Sequence, residues 1–433
     1  MRYFVRYFVM LAGVTLGLMA TPVLAGGGHD NHGHGGHDHG GGHGGHDDHG
    51  HGGGHGGHGD EAVFIHGHFN GHFDGVTAAP HEEDRIVDFY LHGHVDWGAR
   101  LWEKNKHRLS IDGEIFLDGA AQGHDHAHGG GNDHEEEEHH EDGDEDGDEH
   151  GHEDEDEHGE ERARNSFFQD HPVSLAALRL TYSYDDTYAV YVGKFTPTVG
   201  FSPDRFVGAT GYVPVHEYEI RERIGVGGKL SFDGARNLGN HDIEASAFFA
   251  DTTLFSESLF YRRGHRSLND GGPANTEDLS SFALSLGGEN VFGKLGYRLG
   301  YSKQAKAEKD ADAEDEDSVS LSLDYGHRFS RATRGHIVFE YAGIDSLDGE
   351  ANNDHKFTTI ALQLYDKRWL YAVQYTHVNR QSGNNEGSFR MSAGYRVGKQ
   401  VRLHLGYQQI RNDENEISKR IGGTLEYTFD YER

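Results

Sequence analysis

The sequence predicts an all-β fold: a transmembrane antiparallel β-barrel of about sixteen strands, preceded by a disordered Gly/His-rich tail. Three observations predict it. First, every second residue over 369–429 is apolar or small: Trp369, Tyr371, Val373, Tyr375; Phe389, Met391, Ala393, Tyr395, Val397; Val401, Leu403, Leu405, Tyr407; Ile421, Gly423, Leu425, Tyr427, Phe429. Between them stand Gln374, Arg390, Ser392, Arg396, Arg402, His404, Thr424, Glu426 and Thr428. Period two means strands with one apolar and one wet face. Second, the apolar sets begin and end in aromatic residues, as girdles at the two edges of a bilayer would require. Third, the links between segments alternate between short and long. Only 34% of the 433 residues are hydrophobic, which suits a barrel with a polar interior better than a dry core.

Residues 1–25 read as a secretory signal peptide: Arg2 and Arg6 make the basic start, residues 7–20 the apolar stretch, and Val23-Leu24-Ala25 the cleavage region. The apolar run is shorter than the ~20 residues a spanning helix needs. Residues 26–60 are almost only Gly, His and Asp, with eleven histidines and no aliphatic or aromatic side chain. Such a tail has nothing to bury and is expected to be disordered.

The barrel is expected over 61–433. Strands are read at 62–72, 86–101 (Val87, Phe89, Leu91, Val95 and Trp97 on one face), 108–118, 173–184 and 187–195. The next are 218–232, 242–254, 279–288, 291–302 and 318–328, then 334–342, 356–365, 369–378, 387–397, 400–410 and 418–429. Short links such as Asp185-Asp186, Glu289-Asn290 and Gly398-Lys399 alternate with mostly longer ones, among them 119–172, 196–217 and 255–278. Short turns at one end and long loops at the other are how outer-membrane barrels are built. An even strand count then puts both chain ends on the short-turn, periplasmic side. The tail is therefore expected in the periplasm and loop 119–172 outside. The expected location is the outer membrane of a Gram-negative bacterium.

Tyr191-Val192-Gly193-Lys194-Phe195-Thr196-Pro197, followed by Val199-Gly200-Phe201 and then EYEIRERIGVGG over 217–228, resembles porins of Gram-negative bacteria, loosely the phosphate-selective type. The resemblance implies a sixteen-stranded barrel that assembles as a homotrimer and passes small hydrophilic solutes. It also implies that the third external loop, here 196–217 with Pro197, Pro203, Asp204, Arg205 and Pro214, folds into the interior and narrows it. Porins usually end on an aromatic residue, whereas this chain runs past Phe429 and Tyr431 to Glu432-Arg433.

Two sets of residues could carry chemistry. Arg179, Arg205, Arg221, Arg223, Arg298, Arg390, Arg396 and Arg402 are candidate pore-lining cations, which would attract anions. They could equally pair with Glu217, Glu219, Asp324, Glu340 and Glu426 and keep the interior wet, and a register slip of one residue would turn any of them to the other face. The second set is the histidines of two low-complexity tracts. The tail holds His29, His32, His34, His37, His39, His43, His46, His49, His51, His55 and His58; the loop holds His124, His126, His128, His134, His139, His140, His150, His152 and His158. The loop histidines lie among twenty carboxylates between His124 and Glu161, in a chain of net charge −34. Such a run repels itself, stays extended and attracts cations. Imidazoles suit zinc, nickel and copper, whereas the carboxylates suit calcium and magnesium. Asp142, Asp144, Asp146, Gly147 and Glu153 fit a calcium-loop spacing, which a run so rich in Asp, Glu and Gly produces by composition. Without fixed ligands these tracts would hold zinc or another divalent ion weakly and at many places. Neutral imidazole is the ligand, so binding should fail below about pH 6.

No nucleophile elbow, phosphate loop or HExxH motif occurs, so no enzyme is expected. Residues 26–60 cannot form the plug of a TonB-dependent receptor. The expected partners are outer-membrane lipid, divalent metal ions and small hydrophilic solutes, without nucleic acid and without an obligatory cofactor. The expected function is a porin-like channel whose His-rich segments capture metal to assist uptake. Its rivals are a general diffusion porin and a non-conducting barrel that displays a metal-sequestering or adhesive loop.

Overall fold

A computed structural model describes residues 63–78, 87–118, 173–201, 205–207, 218–256, 259, 266–307 and 312–432. Within them sixteen strands close an antiparallel barrel. They are β1 Val63–Ala78, β2 Val87–Lys104, β3 His107–Asp118, β4 Val173–Tyr184, β5 Tyr188–Phe195, β6 Arg223–Asp233, β7 Asn240–Ala250 and β8 Ser281–Val291. The ring continues with β9 Leu295–Gln304, β10 Glu316–Arg328, β11 Thr333–Asp345, β12 His355–Asp366, β13 Trp369–Arg380, β14 Glu386–Arg396, β15 Val401–Asn412 and β16 Ile417–Glu432. Each strand pairs with its sequence neighbours, and β1 closes on β16 from Phe64↔Glu432 to Ala78↔Lys419. Closure leaves no free strand edge, so every ladder can be satisfied within the sheet.

All sixteen expected strands form, in the expected order. Their boundaries differ by a few residues, most tellingly at four strands. The first runs to Ala78 rather than to 72, because β16 is long enough to pair with all of it. The sixth starts at Arg223 rather than at 218, because residues 218–222 leave the wall and pack inside the barrel. The seventh spans 240–250 and the eighth 281–291, both lying nearer the short-turn end than 242–254 and 279–288 would. The chain leaves the wall directly after Ala250, and Asp251 meets Lys194 instead. Segments 1–25, 26–60 and 119–172 lie outside the described residues.

The period-two pattern turns one set of side chains outward. Leu405 is 72% exposed, and Val192, Val226, Leu284, Leu299, Val319, Ile360, Leu403 and Leu425 share the outer face. A continuous aliphatic belt of this kind belongs in hydrocarbon, not water. Aromatic rings edge it. Tyr184 stacks on Tyr188 at 5.5 Å and Trp369 packs against Tyr395 at 4.8 Å near the short turns, and Phe282 meets Tyr301 at 5.8 Å towards the other end. The short turns are tight: Asn105 and Lys106 both take positive φ, 51° and 71°, which matches a two-residue hairpin to the strand twist. The described ends of β1 and β16 lie at this short-turn end.

Candidate functional site

The inner face of the barrel is polar by the same alternation. Gln408 is fully buried beside Ser388, Ser302 shares a 2.6 Å hydrogen bond with Ser318, and Thr359 one of 3.0 Å with Thr376. Two apolar clusters interrupt this polar surface. One gathers Val338, Ala342 and Ile344 of β11 with Phe357 and Ala361 of β12 and Val378 of β13, under Phe206 and Tyr218. The other gathers Tyr191 and Phe195 of β5 with Phe248, Ala250 and Ala283, under Ile220 and Val199. The residues that cover both clusters come from the segment between β5 and β6.

That segment is tied to the inner wall by polar contacts. Glu340 of β11 accepts from the Phe201 amide at 2.8 Å and from the hydroxyls of Tyr218 and Ser322. Thr198 donates to Glu244 at 3.2 Å, Arg205 donates to Asp324 at 3.1 Å, and Gln363 donates to the Arg205 carbonyl. Gly200 holds φ at 82°, a left-handed bend most side chains avoid, and a Cβ there would approach the Glu340 carboxylate. Gly227 matters for a different reason: the Tyr191 ring lies where its side chain would be. At the far end of the segment the chain crosses the barrel. The Tyr218 ring lies 5.0 Å from that of Phe357 on β12, and three residues later the Arg221 guanidinium lies 5.3 Å from the ring of Phe116 on β3. Strands β12 and β3 stand on nearly opposite sides of the ring. The crossing ends where Lys194 meets Glu222 at 2.8 Å and Asp251 at 2.7 Å.

The candidate arginines divide between the wall and the crossing. Arg179, Arg223, Arg298, Arg390, Arg396 and Arg402 occupy inward positions of their strands, and Arg205 and Arg221 belong to the crossing segment. Arg179 pairs with Asp112 at 2.9 Å, Arg205 with Asp324, Arg221 with Glu219 at 2.6 Å, Arg298 with Asp242 at 3.3 Å, and Arg402 with both oxygens of Glu426 at 3.1 Å. Arg223 donates instead to the neutral Gln304 at 2.8 Å. Arg390 sits opposite Gln374 and Arg396 opposite Arg402. Glu219, Asp324 and Glu426 are therefore arginine partners as expected, whereas Glu340 anchors the crossing segment and Glu217 lies outside the described residues. Asp112 and Asp242 are partners that sequence reasoning missed. At the rims, Lys303 donates to Asp315 at 2.7 Å and draws that carboxyl below its ordinary value, while Asp185 raises the Lys106 ammonium.

All twenty tract histidines lie outside the described residues. A different set of histidines faces the interior: His66, His68 and His72 of β1, His92 and His94 of β2, and His404 of β15. Their even spacing in VFIHGHFNGHF, between the outward Ile65, Phe69 and Phe73, is a signal the sequence carries. His404 reaches Glu426 at 2.9 Å and His72 reaches Thr424 at 3.0 Å.

No known family profile matches the chain, and no curated protein does. Solved structures do. A mutant of the porin from Rhodopseudomonas blastica is similar at 9% identity with a TM-score of 0.46, and a triple mutant of that porin at 10% and 0.46. Each match covers 85% of this chain and 100% of the other. Likeness this distant leaves function to be read from the closed barrel itself, its inverted polarity and its inner crossing.

Proposed function

We propose that this chain is a non-enzymatic outer-membrane channel that admits small hydrophilic solutes. In this reading its tail 26–60 and loop 119–172 concentrate divalent metal, zinc first, at the two mouths. The observation that carries the channel is the pairing of an aliphatic outer belt with a polar interior crossed by one short segment. A spanning barrel whose interior is polar offers water a path, and a segment tethered across that interior sets its width. In this reading the loop over 196–217, continued by the crossing at Tyr218 to Glu222, forms the constriction, and the eight arginines line the path in and beside it. Five of them are matched by carboxylates, so the interior need not repel a cation that the acidic loop has gathered. The loop faces outside and the tail the periplasm, where it would accept ions after passage; three copies would assemble side by side through their belts.

Liposomes carrying the intact protein or a form lacking residues 26–60 and 124–161 test this reading. The expected result is slower zinc influx in the shortened form with equal permeation of a neutral sugar. Equal zinc influx would leave a general diffusion porin. A protein that passes neither solute would be a display barrel, and the channel reading would fall.

A further inference from the structure

The interior histidines are not scattered. The registers of β16, β1, β2 and β3 place Asp430, His66, Asp96 and Glu114 side by side in one row across the inner wall. In the next row stand Thr428, His68, His94 and Phe116. Side chains so opposed have Cβ atoms about 4.5–5.5 Å apart, within reach of a shared ion. Asp96 is the centre of the group. Its Oδ2 lies 3.3 Å from His66 Nε2 and 3.2 Å from His94 Nε2, and Asp96 and His94 are each only 6% exposed. The His68 ring packs edge-on against His94, with centroids 4.2 Å apart. Glu114 is partly buried and stands in the field of Asp96, His94, Glu219 and Arg221.

We infer that His66, His94, Asp96 and Glu114 form a binding site inside the barrel for one divalent cation of the zinc, cobalt and nickel class. The spacing is the first argument. Ligand atoms about 2.0–2.1 Å from a tetrahedral zinc ion stand about 3.3 Å from one another, and both imidazole-to-carboxylate distances already have that length. The chemistry is the second. Two imidazoles with two carboxylates match borderline divalent ions, while calcium and magnesium demand more oxygen ligands. Electrostatics is the third. Asp96 and Glu114 oppose like charges on neighbouring strands, which costs stability, and a dication between them reverses the sign of that interaction. Among the described residues no three such side chains yet enclose a common point. Binding would require the Glu114 carboxylate to turn in from β3 as the fourth ligand. The inference deepens the proposed metal-assisted channel, and rests on it for its role: a fixed exchange point for ions that the two His-rich tracts would gather.

Cobalt(II) is the probe, added to the full-length protein in detergent. Tetrahedral cobalt absorbs visible light far more strongly than cobalt held loosely with water, so the inner site stands out from the tracts. The expected result is one strongly absorbing ion per chain, displaced by zinc. In the His66→Gln/His94→Gln double variant, which keeps all twenty tract histidines, the strong absorption disappears. The near-isosteric Asp96→Asn variant needs at least about tenfold more cobalt to reach it, and reads the site even if the double variant does not fold. Identical absorption from intact protein and Asp96→Asn would overturn the site. A strong signal in a protein that conducts no solute would keep the site and remove the channel; normal permeation of a neutral sugar without the signal would do the reverse.

Discussion

The two halves of the inner wall solve opposite problems. From β5 to β13 the wall is covered by the chain's own crossing segment, and its inward residues include fully buried Phe248 and nearly buried Phe357. From β14 through β16 and β1 to β4 the inward residues include His66, His72, His94, Asp112, Arg179, Arg390, Arg402, His404 and Glu426, with Phe116 of β3 meeting Arg221 of the crossing segment. Both halves have the same period-two alternation and the same greasy outside. What differs is what the inner face meets: protein on one side, other polar side chains and the barrel interior on the other. Apolar inner residues such as Phe248 and Phe357 mark where the crossing segment packs, and Glu244, Asp324 and Glu340 on the same side are its polar anchors.

The largest effect should come from the covered half. Phe248 has no exposed surface and packs with Tyr191, Phe195, Ile220 and Ala274. Phe248→Ala should leave a cavity and cost about 3–5 kcal/mol, read as a lower urea midpoint for unfolding from lipid vesicles. A loss under about 1 kcal/mol would mean that the segment around Ile220 does not cover this wall.

A smaller stability loss with a larger functional one is expected at Glu340. Its carboxylate receives the Phe201 amide and the Tyr218 and Ser322 hydroxyls, and so fixes the crossing segment at two points. Glu340→Ala should cost about 2–3 kcal/mol, since three buried donors lose their acceptor. Single-channel conductance should rise and become noisier as the segment loosens. Unchanged conductance would remove the segment from the path.

The strands and their order were legible because each depends on local pattern: alternation for Leu403 and Leu405, and turn residues at Asn105-Lys106 and Asp185-Asp186; the crossing at 218–222 instead read as the start of the sixth strand. The contents of the interior were less so. Glu340 read as an arginine partner, because nothing within its strand shows that Phe201 and Tyr218 return to it from more than a hundred residues away. Asp112 and Asp242 escaped notice because a cross-strand partner depends on register, which alternation fixes only to a face and not to a row. The inner histidines of β1 were hidden by Gly67 and Gly71, which thin the apolar half of the alternation, and by the far denser histidine tracts beside them in the sequence.

The smallest stability effect should come from the uncovered half, and it sharpens the comparison most. Arg402 donates to both oxygens of Glu426, which also meets His404 Nε2, and both partners of the ion pair keep about a fifth of their side-chain surface open. Water can replace part of what Arg402 gives, so Arg402→Gln should cost only about 1 kcal/mol. It leaves Glu426 without its guanidinium partner and with His404 beside it. The reversal potential in a salt gradient should therefore move towards cation selectivity, although the fold is hardly weakened. The same loss of one charge at a site beneath the crossing segment would be felt as instability and not as selectivity. A shift towards anions, or a loss of several kcal/mol, would mean that the β14–β16 wall is packed like its counterpart and that the two halves do not divide the work of holding the fold and meeting the solute.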